Sequence, residues 1–317
     1  MTRSILLLTL SATVFGCLPL ATAAQAQNAR PFVSVVGSDS NANCTVTSPC
    51  RHLQNAYNVT SANGEIDVLD GGNFGSLTIS QPVSIYGGGQ AWISPPANGS
   101  AIAISGSSGT VNLRGLILDG HGASATSGIS FANSSGTLNV QDSVIRNFGA
   151  VGLSFEPNAA GQIFVSNTLI SDNAEGGVTI SAGQSNISIS GTLDHVECDN
   201  NGYTNNNAGI VAGSVASGSQ ITLTVSDSLI ARNNIGIVAQ SVSTVVIGIL
   251  VRNSTIANQA TYGLVTAGSG TQTIWVTRSA IYGNGTGMAG GGIVSYSDNV
   301  LVNNTTEGSF SSTLSYQ

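Results

Sequence analysis

Ser228-Leu229-Ile230-Ala231-Arg232-Asn233-Asn234-Ile235-Gly236-Ile237 holds the repeat of this chain in ten residues. A hydroxyl stands two positions before a branched apolar residue, an amide follows that residue, and a small residue then precedes a second branched apolar one. Outward from this stretch, the small-plus-apolar pair recurs at Ser76-Leu77, Ala101-Ile102, Gly128-Ile129, Gly152-Leu153, Gly177-Val178, Gly209-Ile210, Gly236-Ile237, Gly263-Leu264 and Gly292-Ile293, nine copies spaced 24 to 32 residues apart. The other apolar column runs through Ile117, Ile145, Ile170, Val196, Ile230, Ile256 and Ile281. Two positions before it lie Ser143, Thr168, Asp194, Ser228, Ser254 and Ser279; two or three after it lie Asn147, Asn173, Asp199, Asn233, Asn258 and Asn284. Asn suits a sharp turn because it tolerates the left-handed region and bonds to local backbone. Between the columns, Ile187 to Ile189 and Ile221 to Val225 alternate with period two, the pattern of a half-buried strand. A unit of two or three short strands cannot close its own core, so the copies must stack, each strand pairing with its equivalent in the next rung. The spacing predicts an all-β solenoid of about nine rungs, a rod of about 40 Å.

Composition narrows the function. Of 317 residues only 7% are charged, 40 are Gly, and eight basic residues, all Arg, stand against fifteen acids for a net charge of −7. That balance speaks against nucleic-acid binding and a polybasic membrane contact, and the lack of Lys excludes Lys-dependent catalysis. Residues 1–26 read as a signal peptide, with an apolar stretch after Arg3 and an A-x-A site at Ala24-Gln25-Ala26. No later segment has ~18 continuous apolar residues, so no transmembrane segment is expected. The expected location is secreted, periplasmic or cell surface. In an oxidising compartment Cys44 and Cys50, enclosing only Thr-Val-Thr-Ser-Pro, are expected to form a disulfide. Two free thiols are disfavoured by export, and zinc is disfavoured because only His52 lies nearby. Cys198 is then unpaired and reads as a small buried hydrophobe.

The start of the mature chain carries Phe32-Val33-Ser34, Gly37-Ser38-Asp39, Pro49-Cys50-Arg51-His52-Leu53-Gln54-Asn55-Ala56 and Gly64-Glu65-Ile66-Asp67-Val68. With the stacked rungs and the Asn column, it resembles the right-handed parallel β-helix superfamily typified by pectate lyases, and the leader of secreted bacterial β-helix proteins in particular. The resemblance implies a strand and capping helix over residues 27–75, covering the strand edges of the first rung, and one right-handed parallel β-helix over 76–317. The residues agree with such a cap: Ser48-Pro49 offers a helix start, Arg51 to Tyr57 is amphipathic, and Asn63-Gly64 ends it. The superfamily holds lyases, hydrolases, epimerases and adhesins, so it implies a fold and not an activity.

Candidate chemistry is sparse. Gly120-His121-Gly122 invites comparison with polygalacturonases, but no Asp pair and no downstream Arg-x-Lys accompanies it, and a Gly-rich turn with an exposed His accounts for it. Arg114 and Arg278, each three before the apolar position, fit an outward, solubilising role better than that of a catalytic base. The acidic stretch is more distinctive: between Arg146 and Arg232 there are seven acids and no base. Stacking would bring Asp172 and Glu175 on one rung near Glu197 and Asp199 on the next, with Asp194 alongside, and oxygen-only ligands suit Ca²⁺. A solvated acidic turn beside the inserted loop Asp199 to Asn207 accounts for the same residues. His195 reads as a hydrogen-bonded histidine rather than a general base. The function read from these features is a secreted, non-catalytic β-helix protein presenting an elongated surface to an extracellular polysaccharide or partner. The alternative is a Ca²⁺-dependent polysaccharide lyase or epimerase acting on acidic polysaccharide through Asp172, Glu175, Asp194, Glu197 and Asp199.

Overall fold

The computed structural model describes residues 28–122, 127–203, 207–242 and 244–315. The expected signal peptide lies outside them. Among the described residues every pairing between strands is parallel, and strands of one coil pair with their equivalents in the next, giving a right-handed parallel β-helix. One face is a nine-stranded sheet in which Leu77, Ile102, Ile129, Leu153, Val178, Ile210, Ile237 and Leu264 stand in direct register, none more than 1% exposed. Eight of the nine expected copies are therefore in place. The ninth partner is Met288, after Gly287, and Ile293 instead pairs with Ile274 in the other sheet. Counting branched residues alone passed over the Met.

The small residue of each pair is explained by what lies inside. A Cβ on Gly209 would come 2.8 Å from the amide nitrogen of Asn233, and one on Gly152 would come 2.7 Å from that of Asn173. Those amides form a buried ladder, Asn173, Asn201, Asn233, Gln259, Asn284 and Asn304. Each side-chain oxygen accepts the backbone N–H of the ladder residue one coil earlier, as in Asn173 to Asn201 (3.1 Å), Asn201 to Asn233 (2.8 Å) and Asn233 to Gln259 (2.8 Å). Each side-chain nitrogen donates to the carbonyl of the apolar column in that same earlier coil, at Ile170 (2.9 Å), Cys198 (2.9 Å) and Ile230 (2.6 Å). The residue before each rung of the ladder is left-handed: Asp172, Asn200, Arg232, Asn258, Gly283 and Asn303 have φ between 53° and 68°, as does Asn147 before Phe148 one coil earlier (60°). The single expected Asn column is thus two adjacent columns, a corner and a ladder, and Asp199 belongs to neither.

Two further shifts share one cause. The second apolar column passes through Leu118 rather than Ile117, and through Cys198 rather than Val196, since Ile145 pairs with Leu118 and Ile170 with Cys198. The hydroxyl column consequently holds Val196 in the fifth coil, its N–H donating to Ser228 Oγ at 3.0 Å, and Asp194 lies outside that column. Arg114 shares a column with Arg252 through Gln141, Ser166, Asp194 and Ser226, while Arg278 occupies a left-handed corner with φ 48°.

The first end is closed as expected, by the helix Leu53–Val59, which starts two residues later than the sequence suggests and ends at Thr60. Leu53, Ala56, Tyr57 and Val59 are buried, and the Tyr57 hydroxyl accepts the N–H of Ser80 (2.6 Å) and Gln81 (2.9 Å). Strand Phe32–Val33 pairs with Asp67 and Val68, and the Cys44–Cys50 disulfide ties down the loop between that strand and the helix. No described helix is long and apolar enough to cross a membrane.

Replacing Asn201 by Ala strips partners from the Asn173 N–H and the Ile170 carbonyl inside the rod, and is expected to cost about 3 kcal/mol. A urea midpoint lowered at unchanged slope is the expected reading; an unchanged midpoint would place the ladder at the surface. Cys198 is fully buried, and burial, with the Asp199 carboxylate beside it, pushes its thiol pKa up. It is expected to resist a thiol reagent in the folded protein and to react once denatured.

Candidate functional site

Along the long strands side chains alternate inward and outward, so stacking turns each outward position into a column. One such column runs Glu65, Ser84, Asn112, Asn139, Phe164, Thr192 and Thr224. Two hollows lie over it and a third over the neighbouring outward column Thr137, Gln162, Ser190 and Thr222. The first, about 300 Å³, is lined by residues including Arg30, Glu65, Ser84, Tyr86, Asn112 and Asn139. The second, about 280 Å³, shares Asn139 and adds Thr137, Gln162, Phe164 and Thr192. The third, about 420 Å³, shares Thr137, Gln162 and Ser190 and adds Gln220 and Thr222. Sharing lining residues, they form one shallow groove that crosses successive rungs parallel to the rod axis.

The groove is made of amides and hydroxyls already held in position. Asn139 Nδ2 donates to Asn112 Oδ1 (2.7 Å), and Asn112 Nδ2 donates to Ser84 Oγ (2.9 Å). Charges sit only at its first end, and they are paired. The Arg30 guanidinium donates to Asp67 and lies 3.3 Å from Glu65, and these carboxylates raise its pKa. Arg114 Nε donates to Asp142 (2.8 Å) while its guanidinium lies 5.8 Å from the centre of the Tyr86 ring. Sequence reasoning passed over this groove because an outward polar position in a strand looks like ordinary solvated surface. The signal that reveals it is register: Asn112 and Asn139 fall in one column only once the coil length between them is applied.

The acidic residues singled out from the sequence lie on two corners. Asp172 and Asp199 reach adjacent coils, the Asp172 N–H donating to the Asp199 carbonyl (3.2 Å), but their side chains have taken different partners. Asp199 accepts both Nε and Nη2 of Arg232, and Asp172 accepts Asn200 Nδ2 (2.7 Å). The base that ends the acid-only stretch in sequence thus folds back onto it. Glu197 is exposed between Leu169 and Leu229, its register partners. Glu175 is half-buried in the turn before Gly176, its N–H on the Ala150 carbonyl (3.1 Å).

Asp194 lies at the other corner, with a cluster the sequence reading did not assemble. Among the described residues, Asp194, His195 and Asp227 offer side-chain atoms within 4.8 Å of one another. They are mutually engaged: His195 Nδ1 lies 2.9 Å from Asp194 Oδ2, Asp194 Oδ1 accepts the Ser226 hydroxyl, and Asp227 accepts Asn253 Nδ2 with Arg252 3.8 Å away. The Ser226 hydroxyl first, and His195 with it, hold the Asp194 pKa below its ordinary 3.8; Asp194 in turn raises that of His195 above 6.5. His121 is exposed in a left-handed turn (φ 50°), as a Gly-rich turn requires, with the buried Asp119 behind it.

The pH consequence follows from these directions. The raised His195 pKa gives stability that is full below 6.5 and lost as pH rises through its folded value; the depressed Asp194 pKa gives stability present above 3.8 and lost as pH falls through its folded value. The pair therefore contributes most between those limits. By NMR, His195 is expected to titrate above 6.5, and Asp194→Asn to return it towards that value. An unmoved titration in the variant would break the pair.

No protein-family model matches the sequence, and no curated protein matches it. Among solved structures the chain is similar to the crystal structure of pectate lyase Pel9A, at 13% identity over 89% of this chain and 79% of that one, with a TM-score of 0.49. It is also similar to the Azotobacter vinelandii mannuronan C-5 epimerase AlgE4 A-module, at 10% identity over 80% of this chain and 91% of that one, with a TM-score of 0.37. For the AlgE6 A-module of the same organism the identity is 14%, over 83% of this chain and 92% of that one, with a TM-score of 0.27. By its own strand register the chain is a right-handed parallel β-helix.

Proposed function

We propose that this is a secreted polysaccharide-binding solenoid that holds a glycan chain along the groove without cleaving its backbone. The observation that carries the reading is the groove itself, a strip of pre-bonded amides and hydroxyls crossing rungs from Glu65 to Thr222, with Tyr86 and Phe164 as aromatic surfaces. Amides and hydroxyls match sugar hydroxyls as paired donors and acceptors, and an aromatic face covers the apolar face of a sugar ring. A polymer lying across rungs gains many weak contacts, so affinity does not require a deep pocket. The disulfide fits an oxidising compartment outside the cytosol.

Backbone cleavage by hydrolysis requires two carboxyl groups with separate acid and base roles. The two carboxylates lining the groove, Glu65 and Asp67, both engage Arg30. The lyase or epimerase alternative requires a cation on five acids, three of which, Asp199, Asp172 and Asp194, are engaged by Arg232, by Asn200 and by His195 with Ser226.

Calorimetric titration against neutral and uronate polysaccharides, with and without Ca²⁺, tests the reading. Asn112→Ala and Asn139→Ala are each expected to weaken binding about tenfold, or 1.4 kcal/mol, with the melting temperature kept. Binding unaffected by both would remove the groove. Unsaturated product formed only with Ca²⁺ would carry the lyase reading instead, and Asp172→Asn with Asp199→Asn should then abolish it.

A further inference from the structure

Outside the groove, at the corner reached by strands Val83–Ile93 and Thr110–Asp119, four polar side chains line up in a directed chain. Asn73 Oδ1 accepts the Gly75 N–H (3.0 Å), which turns the amide so that Nδ2 donates to Ser94 Oγ (3.0 Å). Ser94 Oγ also lies 3.2 Å from His121 Nε2, and in the tautomer with the ring proton on Nδ1 the hydroxyl donates to that nitrogen. The other ring nitrogen, Nδ1, stands 3.6 Å from Asp119 Oδ1, longer than a hydrogen bond, as catalytic contacts often are before substrate is bound. Asp119 is only 4% exposed, and is fixed by Arg146 Nε (2.9 Å), Asn147 Nδ2 (3.1 Å) and the His121 N–H (2.9 Å). Burial acts to raise its pKa, but these donors outweigh it and hold the carboxylate ionised. Trp92, in the strand that ends just before Ser94, carries the Arg146 guanidinium 5.8 Å from its ring centre.

We propose that Ser94, His121 and Asp119 form a site that hydrolyses acyl esters. A hydroxyl bonded to an imidazole with a buried carboxylate behind it is the arrangement that activates a serine, whatever the fold. Ser94 Oγ attacks the ester carbonyl carbon while His121 Nε2 takes its proton. The carbon–oxygen bond to the alcohol breaks, and the alcohol leaves with the proton returned by His121. Water, deprotonated by the same nitrogen, then attacks the acyl-serine, releasing the acid and restoring the Ser94 hydroxyl. Asp119 is a positioning residue that orients the ring and stabilises the imidazolium. The site is open to solvent, which suits an ester carried on a large molecule. Ser84 and Tyr86 of the groove and Trp92 beside the site belong to the same coil, on either side of the register shift between Tyr86 and Ala91, so the carrier is assigned as an acylated sugar of the bound polysaccharide, an assignment that rests on the groove reading.

Hydrolysis of p-nitrophenyl acetate tests the site without involving the groove. The wild-type chain is expected to hydrolyse it, and Ser94→Ala and His121→Ala to lose at least about a hundredfold with melting temperatures kept. A fluorophosphonate reagent should add one label, at Ser94, absent from Ser94→Ala. Asp119→Asn should lower kcat with KM unchanged, a split that a purely structural role would not give. No hydrolysis above buffer, full activity in Ser94→Ala, or labelling elsewhere would overturn the site. Acetate release from acetylated xylan tests the carrier: hydrolysis of the small ester without it would overturn the polysaccharide assignment alone. Glycan binding by Ser94→Ala, measured separately, reports on the groove.

Discussion

The constraint on which this rod depends is the backbone inside its sharpest corner. Where each coil turns at a left-handed residue, one N–H and one carbonyl face inward, beyond the reach of water and of the strand pairing on either side. An unpaired buried group of this kind costs about 1 to 3 kcal/mol. The ladder amides resolve it in pairs, since Asn233 accepts from the Asn201 N–H and donates to the Cys198 carbonyl. The donor of the remedy always belongs to the next coil. Along the ladder no coil is complete without its successor, and that part of the chain folds as a stack. The glycines follow from the same requirement, because the ladder amide occupies the space a Cβ on Gly152 or Gly209 would need.

Once the inside is fixed, the outside is fixed with it. A rigid register converts every outward position into a column with constant spacing, and polar residues that are merely soluble on an isolated strand become a track when stacked. Asn112 and Asn139 bond to each other only because their coils differ by one turn. The groove is therefore a by-product of a core requirement, with residue choice in the outer columns left to function.

The repeat was legible because it is written in residue types that the core constrains tightly, Ile and Val behind Gly, and Asn at the turn. The errors cluster where another residue satisfies the same constraint. Cys198 and Met288 fill apolar positions without being branched, and Gln259 serves the ladder with one methylene more than Asn. Accepting Cys198 as a column member moves Asp194 out of the hydroxyl column. The acids were visible, but their neutralisation was not: Arg232 lies 33 residues beyond Asp199 and reaches it only through the stack. Likewise Ser94 and His121 are 27 residues apart, one coil, a separation without meaning until the period is used as a distance.

The place where the ladder begins explains why chemistry could gather at the early coils. The ladder position one coil before Asn173 holds Phe148, so no amide reaches back from there to the turn of the preceding coil. At that turn the backbone is served by other means: Gly120 and Gly122 donate to the carbonyls of Arg146 and Asn147 (2.9 and 3.0 Å), and Asp119 takes the side chain of Asn147. Gly120 is held close, a Cβ there coming 2.3 Å from the Asn147 carbonyl oxygen, and His121 is carried outward in the left-handed conformation between the two glycines. A ladder amide would have kept this turn in the common pattern, with a small or amide side chain at the corner. Its absence lets a buried carboxylate, an exposed imidazole and the serine of the previous coil meet, so the departure from the repeat and the arrangement of Ser94, His121 and Asp119 have one structural origin.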